Sequence, residues 1–178
     1  MSKNKRIAYR GCLLALALVL SYLESLIPVF YGIPGIRIGL ANIVTVYTLY
    51  RLSAADACFV SVGRILLSAL LFGNVMTMIY SLAGAVLSMG VMLLAKPIPK
   101  LSAMGVSVLG GVFHNIGQVV AAAFLLETGG ILTFLSVLLP VGAVAGAVVG
   151  VVAAILIRRV PIEDAPDMRD DNEDDGST

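Results

Sequence analysis

A short polar cluster interrupts an otherwise apolar part of the chain. The stretch GVFHNIGQVV, residues 111–120, contains His114, the only histidine of the protein, together with Asn115 and Gln118. Positions three and four apart share one face of an α-helix, so these side chains would project in a common direction. Imidazole and carboxamide groups both donate and accept hydrogen bonds. The cluster predicts one wall of a solute-binding site, unless its members only bond to neighbouring helices.

Two arginines occur in similarly apolar surroundings. Arg64 lies in the run SVGRILLSALLF, and Arg37 lies just before another apolar segment. A charged side chain in mid-membrane costs roughly 2.5–3.5 kcal/mol on insertion scales, so such residues face protein, water or a ligand. The predicted substrate-binding residues are Arg37, Asn42, Arg64, His114, Asn115 and Gln118. Two guanidinium groups favour an anionic or carbonyl-rich ligand head.

Three further polar residues lie near the ends of apolar segments, and we expect them at the rim of the same pocket. They are Glu24, Asn74 and Glu127. The two glutamates could equally be ordinary residues of the membrane–water interface. Because the polar set avoids one half of the apolar segments, it indicates a pocket that opens toward the outside.

The composition identifies the type of protein that positions these residues. Of 178 residues, 59% are hydrophobic and 13% are charged, whereas soluble domains carry about 25% charged residues. We therefore predict an integral membrane protein. The scattered basic residues do not indicate nucleic-acid binding. Cys12 and Cys58 lie apart in apolar runs, so neither a metal site nor a cofactor is expected.

The predicted fold is an all-α bundle of six transmembrane helices. The apolar segments are roughly 7–27, 38–52, 54–73, 75–95, 103–126 and 134–157, and a crossing helix needs about 20 such residues. One arrangement places nearly all of the 12 basic residues on the same side, which predicts cytoplasmic termini. The absence of a eukaryotic targeting feature fits a bacterial plasma membrane. The first segment could be a secretion signal, but it lacks a small-residue cleavage site, which favours a retained helix.

The predicted domain organisation is a basic N-terminus (1–6), a transmembrane domain (7–160) and an acidic, disordered cytoplasmic tail (161–178). The tail contains DDNED at 170–174, which matches the DDxxD motif with which prenyl diphosphate synthases hold Mg²⁺ and diphosphate. Those enzymes face two such motifs across a helical cavity. A single match in an acidic tail follows from composition, so no catalytic residue is predicted.

Glycines recur every four residues in the last segment, at Gly142, Gly146 and Gly150. Small residues at this spacing allow close helix packing, either within the bundle or between two copies. The chain has no GxxxxGK[ST] motif, so energy from ATP would have to come from another protein.

Three stretches resemble the Gx transporter family, which is also labelled heptaprenyl diphosphate synthase component I. They are PGIRIGLANIVTVYTLY (34–50), RILLSALLFGN (64–74) and GVFHNIGQ (111–118), within a resemblance that covers about 7–158. The family is similar to the S components of energy-coupling factor transporters. This implies an S-component-like fold that captures a small molecule, with a membrane coupling protein and two ATPases as partners. Gly11 and Ala15 fall where S components carry an Ala-x-x-x-Ala docking motif.

The leading interpretation is a membrane-embedded substrate-binding component of a small-molecule transporter. One alternative is a non-catalytic membrane subunit that supports heptaprenyl diphosphate or quinone synthesis. Another is a small scaffold protein that uses its glycine face as an interface. In each case the lipid bilayer surrounds the protein.

Overall fold

The structure, a computed structural model, describes residues 3–26 and 39–160. Within these ranges the secondary structure is entirely helical. The elements are α1 (Lys3–Leu26), α2 (Leu40–Arg51), α3 (Ala54–Phe72), α4 (Val75–Ala95), α5 (Ala103–Leu125), a short 3₁₀ helix (Gly129–Phe134) and α6 (Leu135–Arg159). Arg37 and the acidic tail lie outside the described residues.

Among the described residues, helices corresponding to five of the six predicted segments are long and apolar enough to cross a membrane. They are Asn4–Leu26, Ala54–Phe72, Val75–Ala95, Ala103–Leu125 and Gly129–Arg159. The chain is therefore a multi-pass membrane protein. Helix α2 differs because it has only 12 residues, a length of about 18 Å, whereas the hydrocarbon core is about 30 Å thick. Most of α2 is buried among the other helices.

Side-chain caps determine where several helices begin. The hydroxyl of Ser53 accepts a hydrogen bond from the backbone N–H of Asp56 at the start of α3. Ser102 caps α5 in the same way. Such caps satisfy backbone donors that have no partner within the helix. The connection between α2 and α3 is therefore short, and Asp56 belongs to the first turn of α3 rather than to a loop.

The helices form two groups. Helix α5 packs extensively against α4 on one side and α6 on the other, while α1 contacts only α2 and α3 among the described elements. Contacts of α2 with α6 and of α3 with α4 join the group α1–α3 to the group α4–α6. A space between two helix groups is a usual place for a ligand site in a bundle.

The repeated glycines of α6 lie against α5. A Cβ atom at Gly146 would come within 2.7 Å of the carbonyl oxygen of Ser107, and one at Gly150 within 2.7 Å of Cα of Met104. Gly142 faces Gly111: a Cβ added at Gly142 would lie 3.0 Å from the carbonyl oxygen of Gly111. These glycines thus allow α5 and α6 of the same chain to approach closely, as small residues do in lipid.

One end of the bundle, which we call the basic end, carries Arg6, Arg10, Arg51, Lys96 and Arg158. This is the end predicted to face the cytoplasm. Just inside it lies a buried apolar cluster from several helices: Val46, Leu49, Ala57, Met89, Met92, Ala95, Val106, Val149 and Ala153. Glu24, near the end of α1, and Asn74, between α3 and α4, lie toward the opposite end. The apolar cluster separates the basic end from the space between the helix groups.

Candidate functional site

A polar cavity of about 60 Å³ lies between the two helix groups, and its lining includes residues from all six α-helices. Its polar lining residues are Glu24, Asn42, Thr45, Arg64, Ser81, Ser88, Ser107, His114, Asn115 and Gln118. A water molecule needs about 10–15 Å³ of such volume, so the cavity holds roughly four to six waters or a small solute group. Ligand pockets usually measure about 300–1,000 Å³. In this conformation, a larger ligand would have to separate the helices.

Arg64 forms the wall contributed by α3. Its side chain is only 8% exposed, and its Nη2 donates a hydrogen bond of 2.8 Å to Oδ1 of Asn42 on α2. Its Nη1 also donates to the hydroxyl of Ser21 on α1, at 3.5 Å. Arg64 therefore connects the three helices of its group while placing a positive charge beside the cavity.

Glu24 contributes a carboxylate to the same cavity. It is 9% exposed, and its Oε1 accepts a hydrogen bond of 2.5 Å from the backbone N–H of Gly39. Gly39 precedes α2 and has φ of +79°, a left-handed conformation that glycine adopts readily. The carboxylate thus lies at the N-terminus of α2, where the helix dipole favours negative charge.

The opposite wall comes from α5. His114, Asn115 and Gln118 all line the cavity, so the helix places them on the common side that their spacing predicts. His114 and Gln118 pass over Gly84 of α4, where an added Cβ would meet the backbone carbonyl of His114 at 2.7 Å and Cγ of Gln118 at 2.8 Å. The missing side chain at Gly84 therefore makes room for both residues.

Asn115 also has a structural contact. Its Nδ2 donates a hydrogen bond of 2.7 Å to the backbone carbonyl of Leu138 in α6. This bond uses part of the hydrogen-bonding capacity of the carboxamide to join α5 and α6, and the remaining capacity is available toward the cavity. The partner is a main-chain atom, which no sequence pattern identifies.

Four hydroxyl residues of the lining were missed by sequence reasoning: Thr45, Ser81, Ser88 and Ser107. Thr45 is only 2% exposed, and its hydroxyl makes no hydrogen bond to the described residues. Ser81 and Ser88 are seven positions apart, two helical turns, which is the one signal that could have placed them together. The serines extend the polar lining toward the basic half of the bundle, beyond the region predicted from the charged residues.

The other predicted residues lie away from the cavity or outside the described ranges. Asn74 is exposed and forms a capping box with Thr77 at the start of α4. Glu127 is exposed after the end of α5, with φ of 49°. Gly11 and Ala15 lie on an exposed part of α1, where an added Cβ at Gly11 would contact nothing within 4 Å. Arg37 is not among the described residues.

Apolar residues and hydrogen bonds close the cavity toward the basic end. Val46, Met92 and Val149 line the cavity and also belong to the apolar cluster. Beyond them, the hydroxyl of Tyr47 donates to the carbonyl of Val160 at 3.0 Å, and Arg51 donates to the carbonyl of Ile157. These side chains of α2 satisfy carbonyls at the C-terminus of α6.

Lys96 adds a third contact at this end. Its Nζ donates to the carbonyl of Leu49 at 2.8 Å and lies 5.4 Å from the centre of the Tyr50 ring. Burial lowers the pKa of Lys96, because removal from water disfavours the charged form. Hydrogen bonds therefore join the two helix groups where the cavity ends.

A second polar cluster, also missed by sequence reasoning, lies near the basic end of α1 and α3. Asp56 is fully buried and forms ion pairs with Arg6, at 2.7 Å, and with Arg10. The hydroxyl of Ser53 donates to the same carboxylate at 2.6 Å. A buried charge needs such partners. The cluster attaches the start of α1 to α3 and is separate from the lining of the cavity.

Within the described ranges, no group of three or more His, Cys, Asp and Glu residues could hold a metal ion. The cavity has a composition suited to hydrogen bonding and charge recognition: one arginine, one carboxylate, one imidazole, carboxamides and hydroxyls. Because the residues come from both helix groups, a bound solute would contact both.

The sequence profile of the heptaprenyl diphosphate synthase component I family matches residues 13–156. The chain belongs to this family. The match covers the greater part of all six α-helices and therefore includes every described residue of the cavity lining. The resemblance seen in the sequence is confirmed. Comparisons with curated proteins and with solved structures gave no match.

Proposed function

We propose that this member of the heptaprenyl diphosphate synthase component I family is the membrane-embedded substrate-binding component of a transporter for a small polar solute. The observation that carries the proposal is the polar cavity between the helix groups, which contains Arg64, Asn42, His114 and Gln118. Polar and charged groups at membrane depth are costly and mark ligand or ion pathways. Arg64 and Asn42 would bind the solute from one side and the α5 residues from the other.

The closed basic end supports a binding role in this conformation. Val46, Met92 and Val149 line the cavity and belong to the apolar cluster that lies toward the basic end. A channel would need a continuous pore lined by suitable groups. The solute would therefore enter from the end that carries Glu24 and leave only after the bundle changes shape.

Partner subunits would supply the energy for release. We propose a coupling membrane protein that docks on α1 through the small residues Gly11 and Ala15, together with ATPase subunits. Among the described elements, helix α1 packs only against α2 and α3, and both small residues are exposed. Small residues allow another helix to approach closely in lipid.

Ligand binding can be tested on the full-length protein purified from its native membrane in mild detergent. Native mass spectrometry should detect a small molecule bound in equal proportion to the protein. The Arg64→Gln variant should lose at least tenfold in affinity, which corresponds to about 1.4 kcal/mol. Arg158→Gln is the control, because Arg158 is an exposed residue of the basic end. Wild-type protein that never carries a bound solute would contradict the proposal.

A second function is favoured by the family description, which names a component of heptaprenyl diphosphate synthase. In this case the chain would support polyprenyl synthesis as a non-catalytic membrane subunit. Deletion of residues 162–178, which removes the DDNED sequence, should then lower polyprenyl diphosphate formation in membranes. Unchanged product formation after the deletion would rule out a role for that motif, and unchanged formation after loss of the whole chain would rule out this function.

A further inference from the structure

Two opposite charges line the same small cavity. Arg64 contributes a guanidinium group from α3, and Glu24 contributes a carboxylate from α1. Among the described residues, no basic side chain lies within ion-pair distance of Glu24. Its hydrogen bond to the N–H of Gly39 involves Oε1 only, so Oε2 can accept a hydrogen bond from a solute. A buried carboxylate is strongly stabilised by further donors or by a positive charge.

The lining between these charges also has unused hydrogen-bonding capacity. The hydroxyl of Thr45 is buried and makes no hydrogen bond to the described residues. Thr45 lines the cavity one helical turn from Asn42, the residue that accepts from Arg64. A buried hydroxyl without a partner costs about 1–3 kcal/mol. A polar solute would remove this cost if its binding opened access to the hydroxyl, which has almost no accessible surface in this conformation.

The charges and the size of the cavity restrict the ligand. A purely anionic solute would be attracted by Arg64 but repelled by Glu24. A purely cationic solute would be attracted by Glu24 but repelled by Arg64. A solute with both charges satisfies both residues. At about 60 Å³, the cavity accepts only a compact polar group in this conformation.

From this arrangement we infer that the ligand is a small zwitterion, with an ammonium group directed to Glu24 and a carboxylate or similar anionic group directed to Arg64. This inference rests on the proposed binding function. It assigns Glu24 to the binding site itself rather than to its rim, and it replaces an anionic ligand head by one that carries both charges.

The test uses three probes that differ in charge while remaining similar in size: glycine, acetate and methylammonium. Binding to the full-length protein in nanodiscs is measured by calorimetry and by the shift in unfolding temperature. A panel of larger zwitterions, β-alanine and the neutral α-amino acids, is measured under the same conditions. At least one zwitterion should bind at least tenfold more tightly than acetate and methylammonium.

Glu24→Gln identifies the carboxylate as the cause of this selectivity. The carboxamide oxygen of glutamine can still accept the hydrogen bond from Gly39, so the start of α2 is retained. The variant should bind the zwitterion at least tenfold more weakly and bind acetate as well as, or better than, the wild type. Glu127→Gln, a change of an exposed carboxylate at the same end of the bundle, should alter neither affinity.

The inference is overturned if no zwitterion of the panel binds, if acetate binds as tightly as the zwitterions, or if Glu24→Gln leaves the ratio of affinities unchanged. The unfolding temperature of each variant without ligand shows whether it is folded. The proposed function is judged separately, from the molecule that native mass spectrometry finds on the purified protein. A bound anion without an ammonium or other cationic group would preserve the function and overturn the inference.

Discussion

The guanidinium group of Arg64 on α3 donates a 2.8 Å hydrogen bond to the side-chain oxygen of Asn42 on α2. The two residues lie 22 positions apart in the sequence and are both part of the cavity wall. Through this bond, the short helix α2 helps to orient the charge that we assign to ligand binding. Changes at Asn42 should therefore affect both stability and binding.

Asn42→Leu should lower the free energy of unfolding by about 1.5–3 kcal/mol, the range for hydrogen bonds to charged groups. The substitution keeps a similar volume but removes the acceptor of Arg64. Unfolding in detergent, followed by circular dichroism, gives the measurement. Asn4→Leu, an exposed position at the start of α1, is the control and should change stability by less than about 0.5 kcal/mol. If both substitutions changed the free energy of unfolding equally, the hydrogen bond between Arg64 and Asn42 would not contribute measurably to stability.

Gly84→Ala should destabilise the bundle and weaken ligand binding. The added Cβ would lie 2.7 Å from the carbonyl oxygen of His114 and 2.8 Å from Cγ of Gln118, so α4 and α5 would have to separate. Overpacking of this kind costs about 1–3 kcal/mol. Thermal unfolding and ligand titration of the same preparation measure the two effects.

Gly90→Ala is a matched control for Gly84→Ala in the same helix. An added Cβ at Gly90 would contact nothing within 4 Å, and alanine is favoured over glycine in a helix by about 1 kcal/mol. Gly90→Ala should therefore be neutral or stabilising. If the two substitutions have the same effect, the contact of Gly84 with α5 is not responsible.

Asp56→Asn should reduce the free energy of unfolding by about 1.5–3 kcal/mol, the range for hydrogen bonds to charged groups, because it removes the carboxylate charge with which the partly exposed Arg6 and Arg10 pair. The loss should appear first as increased proteolysis of the start of α1, since this cluster attaches α1 to α3. Limited proteolysis with mass spectrometry locates the cleavage. If the variant resisted proteolysis as well as the wild type, packing alone would be sufficient to hold α1 against α3.

Tyr47→Phe should increase hydrogen exchange at the C-terminus of α6. The substitution removes the hydrogen bond of 3.0 Å from the Tyr47 hydroxyl to the carbonyl of Val160, and a single bond of this kind contributes about 0.5–1.5 kcal/mol. Hydrogen–deuterium exchange with mass spectrometry resolves this segment. Tyr22→Phe is the control, because Tyr22 is exposed at the other end of the bundle. If hydrogen exchange at the C-terminus of α6 were unchanged in Tyr47→Phe, the hydrogen bond of Tyr47 would not contribute to the stability of that segment.

Helix positions were largely predictable from the sequence because apolar length and helix breakers act locally. The predicted segment 75–95 coincides with α4 (Val75–Ala95), and 103–126 differs from α5 (Ala103–Leu125) by one residue. The start of α1 was placed too late, at residue 7 instead of Lys3, because its first turns are basic. Arg6 and Arg10 in those turns pair with Asp56, and such a long-range contact has no local signal.

The candidate site was only partly predictable. Arg64 and His114 were conspicuous because charged and imidazole groups are rare in apolar segments. Ser88 and Thr45 were not, because a hydroxyl in a helix can bond to its own backbone and so occurs on any face. Asp56 was not singled out, since its burial depends on arginines about 50 positions earlier.

Three side-chain hydrogen bonds that join α1–α3 to α4–α6 lie near the basic end: Tyr47 to Val160, Arg51 to Ile157 and Lys96 to Leu49. A tilt of the opposite ends of the two groups about this region would leave these three bonds intact. Such a tilt would widen the space beside Glu24 and admit solutes larger than the volume enclosed at rest. Uptake of a solute and its discharge across the membrane would then require two different movements, and only discharge would have to disrupt bonds between the groups.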